Sequence, residues 1–248
     1  MLLTTAKNFT STAPKLSPDA RNNGLLAALP DEDYGLLLPS LEFVNLSLGE
    51  ILYDSGDEMP YLYFPITSIV SLLYTMESGS TAEMGMVGSC GVVGISVFLG
   101  GKTTSNQAIV QIAGGAFRIK AKIIQDEFAR AGALQRILLC YTQSLLTQIS
   151  QIAVCNRLHT LEQRICRWLL FSHDCVMKDE IVLTQENFSH LLGVRREGVT
   201  VAAGRLQDAG LISYMRGRIH ILNRKELEKT SCECYEVFKK EYERLLAL

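Results

Sequence analysis

From Leu41 to Lys120 the apolar positions fall in short runs, FVNL, ILY, YLYF, IVSLLYTM, AIVQIA and AFRIK, separated by turn clusters such as DSGDE and ESGS. Runs of this length, rich in β-branched and aromatic residues and broken by Gly, Asp and Ser, predict short strands at close spacing and hence a small barrel or roll. Residues 84–101 (MGMVGSCGVVGISVFLGG) carry no charge over 18 residues, the crude length of a membrane span. Six of them are glycine, which favours strands and turns, because a helix would lose about 1 kcal/mol per glycine relative to alanine. Gly85, Gly88, Gly91 and Gly94 recur at every third position, a spacing suited to close backbone approach or repeated bends.

The period changes at Leu134. Through His159 there is almost no charge and neither Pro nor Gly, and Leu134, Leu138, Tyr141, Leu145, Gln148, Ile152, Cys155 and His159 follow the 4,3 alternation of a heptad seam. A long helix packed against its own β domain and a two-helix dimer interface both satisfy that pattern. The expectation adopted is a dimerisation helix over 133–160, with Leu134, Leu138, Tyr141, Leu145, Gln148, Ile152 and Cys155 at the interface and Gln148 as a polar, register-setting interruption. LEQRICRWLLF, 161–171, follows as a further amphipathic helix.

The stretch LTQENFSHLLGVRREGVTVAAGRLQDAGLIS predicts two short helices. Thr184 suits an N-cap, Glu186 a first turn, and Phe188, Leu191 and Leu192 share one face, giving a helix over 184–192. Gly193 permits a tight reversal, and Val199, Ala202, Ala203 and Leu206 give a second helix its buried stripe up to a C-terminal cap at Gly210. LISY and IHIL, flanking Met215-Arg216-Gly217-Arg218, predict a hairpin with a basic tip, and Asn223 with Glu226 a capping box for a last helix. Two helices joined by a three-residue turn and followed by a hairpin form a winged helix-turn-helix. In that motif the second helix presents its N-terminal residues to base edges in the major groove. Arg and Glu suit that place: guanidinium donates twice to guanine and carboxylate accepts from cytosine, each worth ~1–3 kcal/mol of discrimination.

Composition sharpens this division. A chain of 248 residues with 48% hydrophobic content can build a real core. Its net charge of −2 excludes a uniformly basic nucleic-acid binder, but the two ends differ. Residues 22–117 hold ten acids against the single base Lys102, whereas 183–225 hold seven bases against three acids. The N-terminus has no sustained apolar segment of a signal peptide, so a flexible tail over 1–24 and a cytoplasmic protein are expected. Seven scattered cysteines without secretory context predict reduced thiols.

With these motifs the chain resembles the Crp/Fnr family of bacterial transcription regulators, most strongly over LTQENFSHLLGVRREGVTVAAGRLQDAGLIS. The resemblance implies an α+β protein. A cyclic-nucleotide-binding-like β-roll of cupin-type jelly-roll form would span 25–132, the dimerisation helix 133–160 and the winged helix-turn-helix 161–248, the homodimer reading a palindromic promoter in double-stranded DNA. It further implies base reading by Arg196 and Glu197, phosphate contacts from Thr184 and from the wing Arg216 and Arg218, and RNA polymerase as partner of an activator. Gln185, Arg195 and Thr200 complete the DNA-facing set. Val201 stands where the cyclic-AMP receptor protein has a second base-reading Arg, so a different operator is expected. Gly198 and Gly204 interrupt the second helix, and Gly198 suggests close approach to DNA.

Gly94, Ile95, Asn106 and Gln107 occupy the positions of the family's effector pocket, but they lack its carboxylate and guanidinium. A buried cyclic phosphate would need a charge partner, so cyclic AMP is not the expected ligand and the effector stays open. No cofactor and no metal are expected: an iron–sulfur cluster needs about four thiolates, nothing precedes Cys90, and all four histidines lie beyond residue 158. Cys232 and Cys234 are read as inert thiols on a tail, with a soft-metal or redox role as the alternative. An enzyme is not expected. The rival readings are a cupin-type small-molecule or metal-dependent enzyme, opposed by the absence of His before 159, and an interaction adaptor that no longer touches DNA.

Overall fold

The computed structural model describes residues 18–246. Most of the expected flexible tail lies outside them, and its inner end is built into the fold. Asn23 is fully buried; its Nδ2 donates to the carbonyls of Pro65 (2.9 Å) and Gly91 (2.8 Å), and its Oδ1 accepts from Leu25 N (3.0 Å). Three hydrogen bonds from one buried amide side chain offset its desolvation. Two short helices, α1 (Gly24–Ala27) and α2 (Asp31–Leu37), follow it.

Seven strands form two antiparallel sheets. Strands β1 (Glu42–Leu46), β7 (Gly114–Lys120) and β3 (Tyr61–Pro65) make one, in the order β1-β7-β3. The other has the order β2-β6-β4-β5, from β2 (Ile51–Tyr53), β6 (Gln107–Ile112), β4 (Ile69–Thr75) and β5 (Thr81–Val87). Leu46, Leu62, Phe64, Val70, Val110 and Ile119 bury one shared core, as two facing sheets with inward alternating positions require. Helix α3 (Ala121–Ala129) closes one end through Ile124.

The 26-residue helix α4 (Ala133–Leu158) covers the roll. It is long and apolar enough to cross a membrane by composition, but one side is packed inside the chain. The seam assigned to a dimer partner lies on that side: Leu134, Leu138, Tyr141, Leu145, Gln148, Ile152 and Cys155 are all buried against the protein's own β-roll and later helices. Gln148 sets no register between chains. Its Oε1 accepts from Met86 N of the edge strand β5 (2.9 Å), satisfying an amide that would otherwise be buried unpaired. The glycine run fits beneath the helices. A Cβ at Gly91 would meet the Tyr141 side chain at 2.5–2.9 Å, one at Gly85 would meet Gln148 Oε1 at 3.1 Å, and one at Gly88 would overlap Cys175.

Helix α5 (Leu161–Val176) starts with a complete capping box: Gln163 N donates to Thr160 Oγ1 and Thr160 N to Gln163 Oε1. Trp168, Leu169 and Leu170 carry a second core that also takes in Ile69, Leu73 and Met86 from the outer face of β4 and β5. Helix α8 (Arg224–Thr230) is capped by Asn223, which accepts from Glu226 N (3.2 Å). The chain then returns as α9 (Cys234–Leu246) along α4, with Phe238 between Phe171 and Tyr242.

Candidate nucleic-acid interface

Helix α6 (Gln185–Leu192) opens on Thr184, whose hydroxyl accepts from Asn187 N (3.1 Å), and ends at Gly193 in the left-handed conformation, φ +62°. Glycine is needed there because a side chain at that φ is strained. Val194 and Arg195 complete the turn, and α7 (Arg196–Asp208) begins. Its inward stripe is Val199, Ala202, Ala203 and Leu206, and all but Ala203 share a core with Phe188 and Trp168, whose rings lie 5.1 Å apart. The opposite side presents Arg195, Arg196, Glu197, Thr200 and Val201 to solvent. The outward stripe of α7 thus starts with two cations and an anion at the helix's first turn.

The two helices are tied at their N-terminal ends, where Thr200 Oγ1 donates to Gln185 Oε1 (2.8 Å). Arg196 is only loosely drawn to Glu186, at 3.9 Å between exposed side chains, a pair worth little in water. The C-terminal end of α6 is fixed by a residue that the pattern of exposed charge passes over: buried Arg164 of α5 donates to the Leu192 carbonyl. Burial lowers the Arg164 pKa, and the carbonyls at the end of a helix suit a cation. Its one legible signal was a charge on the apolar side of LEQRICRW.

The wing is a three-stranded sheet in the order β8-β10-β9, formed by β8 (Glu180–Val182), β9 (Ile212–Met215) and β10 (Arg218–Ile221). Arg216 (φ +51°) and Gly217 (φ +75°) make its two-residue tip, the paired left-handed geometry of a type I′ turn. The tip docks on the start of α6: Leu183 N donates to Gly217 O (2.8 Å), and a Cβ on Gly217 would come within 3.3 Å of Thr184 Cγ2. Tyr214 braces the same corner by donating its hydroxyl to Leu183 O (2.8 Å), and burial pushes its pKa up to about 12. These contacts set Thr184, Gln185 and Thr200 beside the wing, with Arg196 a turn away and Arg216 exposed at the tip. Arg218 differs from Arg216 in being ion-paired to Glu180, which also meets His220 Nε2 at 3.1 Å.

One expectation changes here. Gly198 does not face outward: its missing Cβ points at Leu161 of α5, 3.4 Å away, so the glycine is not there for close approach of DNA. The effector-pocket residues are occupied with their own chain. Asn106 accepts from Tyr53 Oη (3.1 Å) and donates to Thr104 Oγ1 (2.8 Å), and Gln107 donates to Asp54 Oδ1 (3.1 Å). Gly94 caps the short 3₁₀ turn Ile95–Val97 in the left-handed conformation, φ +102°. No cation among the four could neutralise a phosphate.

Residues 163–230 match the family model of the Crp-like helix-turn-helix domain. No curated protein matches the chain. Among solved structures the chain is similar to FixK2 from Bradyrhizobium japonicum, at 17% identity and TM-score 0.65 over 77% of this chain and 98% of that one. It is also similar to a CRP-family transcriptional regulator from Thermus thermophilus (19%, TM-score 0.62, 76% and 96%). A third is the c-di-GMP-responsive global regulator CLP from Xanthomonas campestris (17%, TM-score 0.61, 78% and 100%). At these identities the likeness is one of fold, over about three quarters of this chain. The chain carries a Crp-like helix-turn-helix domain on the fold of the Crp/Fnr transcriptional regulators.

Proposed function

We propose that the protein is a sequence-specific, DNA-binding transcriptional regulator. It acts in the cytoplasm as a homodimer on a palindromic promoter site, without catalysis and without cyclic AMP as effector. The observation that carries this reading is the outward stripe of α7, Arg196, Glu197 and Thr200, on a helix whose other side is buried and which Thr200 ties to Gln185 at the start of α6. In the reading, Arg196 and Glu197 face base edges, and Thr184, Gln185, Arg195, Thr200, Arg216 and Arg218 hold the backbone. RNA polymerase is the partner if the regulator activates.

The homodimer is reassigned to the outer side of α4. Leu139 (46% exposed), Leu146 (53%), Val154 (46%) and Leu158 (70%) form an uncovered apolar stripe, interleaved with Gln143, Ser150 and Arg157. Leu139, Gln143, Leu146, Ser150, Ala153 and Arg157 follow the 4,3 spacing of a heptad seam, with Val154 and Leu158 beside it. Pairing through it would set two reading helices to face successive major grooves, ~34 Å apart.

The test is selection of genomic fragments by the purified protein, followed by titration of the selected site and a scrambled site. Arg196→Ala is expected to cut the specific-to-nonspecific ratio by about 10-fold or more, the loss of one bidentate base contact. Arg216→Ala is expected to weaken both sites alike and to lower the salt slope by about one. An unchanged ratio in Arg196→Ala sinks the base-reading assignment.

A further inference from the structure

The fold gathers four metal-binding side chains that are far apart in the sequence. Cys155 lies in the last turn of α4, His159 is its C-cap residue, Cys232 lies between α8 and α9, and Cys234 opens α9. One donor atom from each lies within 4.8 Å of all the others. Cys155 Sγ and Cys232 Sγ are 3.5 Å apart, and Cys234 Sγ and His159 Nδ1 3.6 Å. Tetrahedral zinc, with sulfur at about 2.3 Å and nitrogen at about 2.1 Å, places neighbouring donors roughly 3.5–3.8 Å apart. We infer that Cys155, His159, Cys232 and Cys234 form a closed, tetrahedral Zn²⁺ site that staples the junction between the long helix and the DNA-binding domain to the returning C-terminal segment.

Three features separate this from a chance cluster of buried thiols. First, the histidine is oriented: its Nε2 lies 3.1 Å from Glu233 Oε2, so Nε2–H donates to the carboxylate and the Nδ1 lone pair is directed at the thiols, as with outer-shell carboxylates of zinc-bound imidazole. Second, the charge is answered. Three thiolates and Zn²⁺ sum to −1, and the buried guanidinium of Arg167 faces Cys155, with its Nε lacking any partner among the described residues. Third, the Cys232–Cys234 loop is placed without help from sulfur. Tyr235 donates to Asp174 Oδ2 (2.6 Å), and Arg224 Nη2 bonds both Asp174 Oδ1 (2.7 Å) and Tyr235 Oη (2.9 Å). The three cysteines are 0–4% exposed, and four protein donors leave no open position, which is the pattern of a structural rather than a catalytic zinc.

From the sequence alone Cys232 and Cys234 are inert thiols on a tail and Cys155 belongs to a dimer seam. The spacing Cys-x₃-His, then Cys-x-Cys more than seventy residues later, becomes a single site only once α9 returns along α4. The metal would fix His159 and Thr160, where α4 passes into α5, and so the angle at which the winged helix-turn-helix leaves the roll.

The test uses the tag-free full chain, purified under reducing conditions from zinc-supplemented cells. Elemental analysis is expected to give one zinc per chain. Cobalt substitution is expected to give thiolate charge-transfer bands and the intense ligand-field bands of a tetrahedral centre. Cys232→Ser and Cys234→Ser should each lose the metal, and Cys90→Ser and Cys140→Ser should keep one equivalent. His159→Cys keeps the metal and shifts the cobalt spectrum towards four thiolates, which guards against variants that simply fail to fold. The inference is overturned if the wild type retains only substoichiometric zinc after reconstitution, if the metal survives in Cys232→Ser and Cys234→Ser, or if mass spectrometry of the purified chain finds a Cys155–Cys232 disulfide. None of these outcomes bears on base reading by Arg196, which is measured separately.

Discussion

Glu83 is a carboxylate placed where charge is unfavourable. It lies on β5 under the DNA-binding domain, 6% exposed, accepting from Ser71 Oγ (2.6 Å) and facing Trp168 Nε1 at 3.5 Å. Burial raises its pKa, outweighing Ser71, the charge of Arg167 and Trp168, and leaves it at about 7 against an ordinary 4.5. Below pH 4.5 both folded and unfolded chains hold the proton and stability is complete. Between 4.5 and 7 the unfolded chain ionises while the folded one stays protonated, so stability falls as pH rises; above 7 both are ionised and the loss levels off. At 1.36 kcal/mol per pH unit the loss across that window is about 3 kcal/mol. Glu83→Gln keeps an acceptor for Ser71 and removes the titration, so the variant should gain on the wild type by about that amount between pH 4.5 and 8. Urea denaturation of both proteins across this range measures the difference directly. If the two stability profiles run parallel, Glu83 is not held protonated in the folded protein and the desolvation argument is wrong.

Three further outcomes follow from packing. Leu146→Glu should leave the monomer folded, because Leu146 is half exposed, yet weaken dimerisation by roughly 10³-fold, two apolar side chains at about 2 kcal/mol each; sedimentation equilibrium reads it, and an unchanged dimer would place the interface elsewhere. Gly88→Ala pushes a Cβ into Cys175 and should cost ~1–3 kcal/mol in urea titration, the usual penalty of overpacking. Gly204→Ala meets nothing within 4 Å and should stabilise by about 1 kcal/mol with DNA affinity unaltered; a loss of affinity would mean that this position touches DNA.

What the sequence showed and what it hid follow from how local each signal is. The helix-turn-helix was legible because its parts are contiguous: a capping Thr184, an inward stripe, Gly193 at positive φ and a two-residue wing tip. The long helix was legible in extent, but not in which side faces what. Two 4,3 stripes run along it, one through Leu138 and Leu145 and one through Leu139 and Leu146, and periodicity cannot tell a seam covered by the protein's own roll from one left for a partner. Strand β5 was hidden because Thr-Ala-Glu-Met-Gly-Met-Val at a sheet edge lacks alternation and β-branched density. Strand β8 and helix α9 depend on partners far along the chain, as does the cluster of Cys155, His159, Cys232 and Cys234, whose members converge only in three dimensions.

The route by which any signal could reach α7 is narrowed by the packing. Ile69, Leu73 and Met86, on the outer face of the roll, are buried in the same core as Trp168, Phe188 and Leu192. Ala82 on β5 stands 3.7 Å from where a Cβ of Gly193 would lie, at the turn between α6 and α7. Pulling the domains apart would expose those three side chains, at ~1.5–3 kcal/mol each. That sum exceeds the ~1–3 kcal/mol by which effectors usually couple sites, so a switch that detaches the winged helix from the roll is energetically out of reach for an ordinary ligand. Small displacements remain accessible at two places. One is the β4–β5 hairpin, whose tip half borders the helix-turn-helix across a cleft lined by Met76, Ala82, His190 and Gly193; the other is the passage from α4 to α5 at His159 and Thr160. The first can slide on apolar contacts without losing them, whereas the second is held by a capping box and by the four clustered donors. Motion of α7 relative to the roll is therefore expected to pivot about the α4–α5 junction while the hairpin slides.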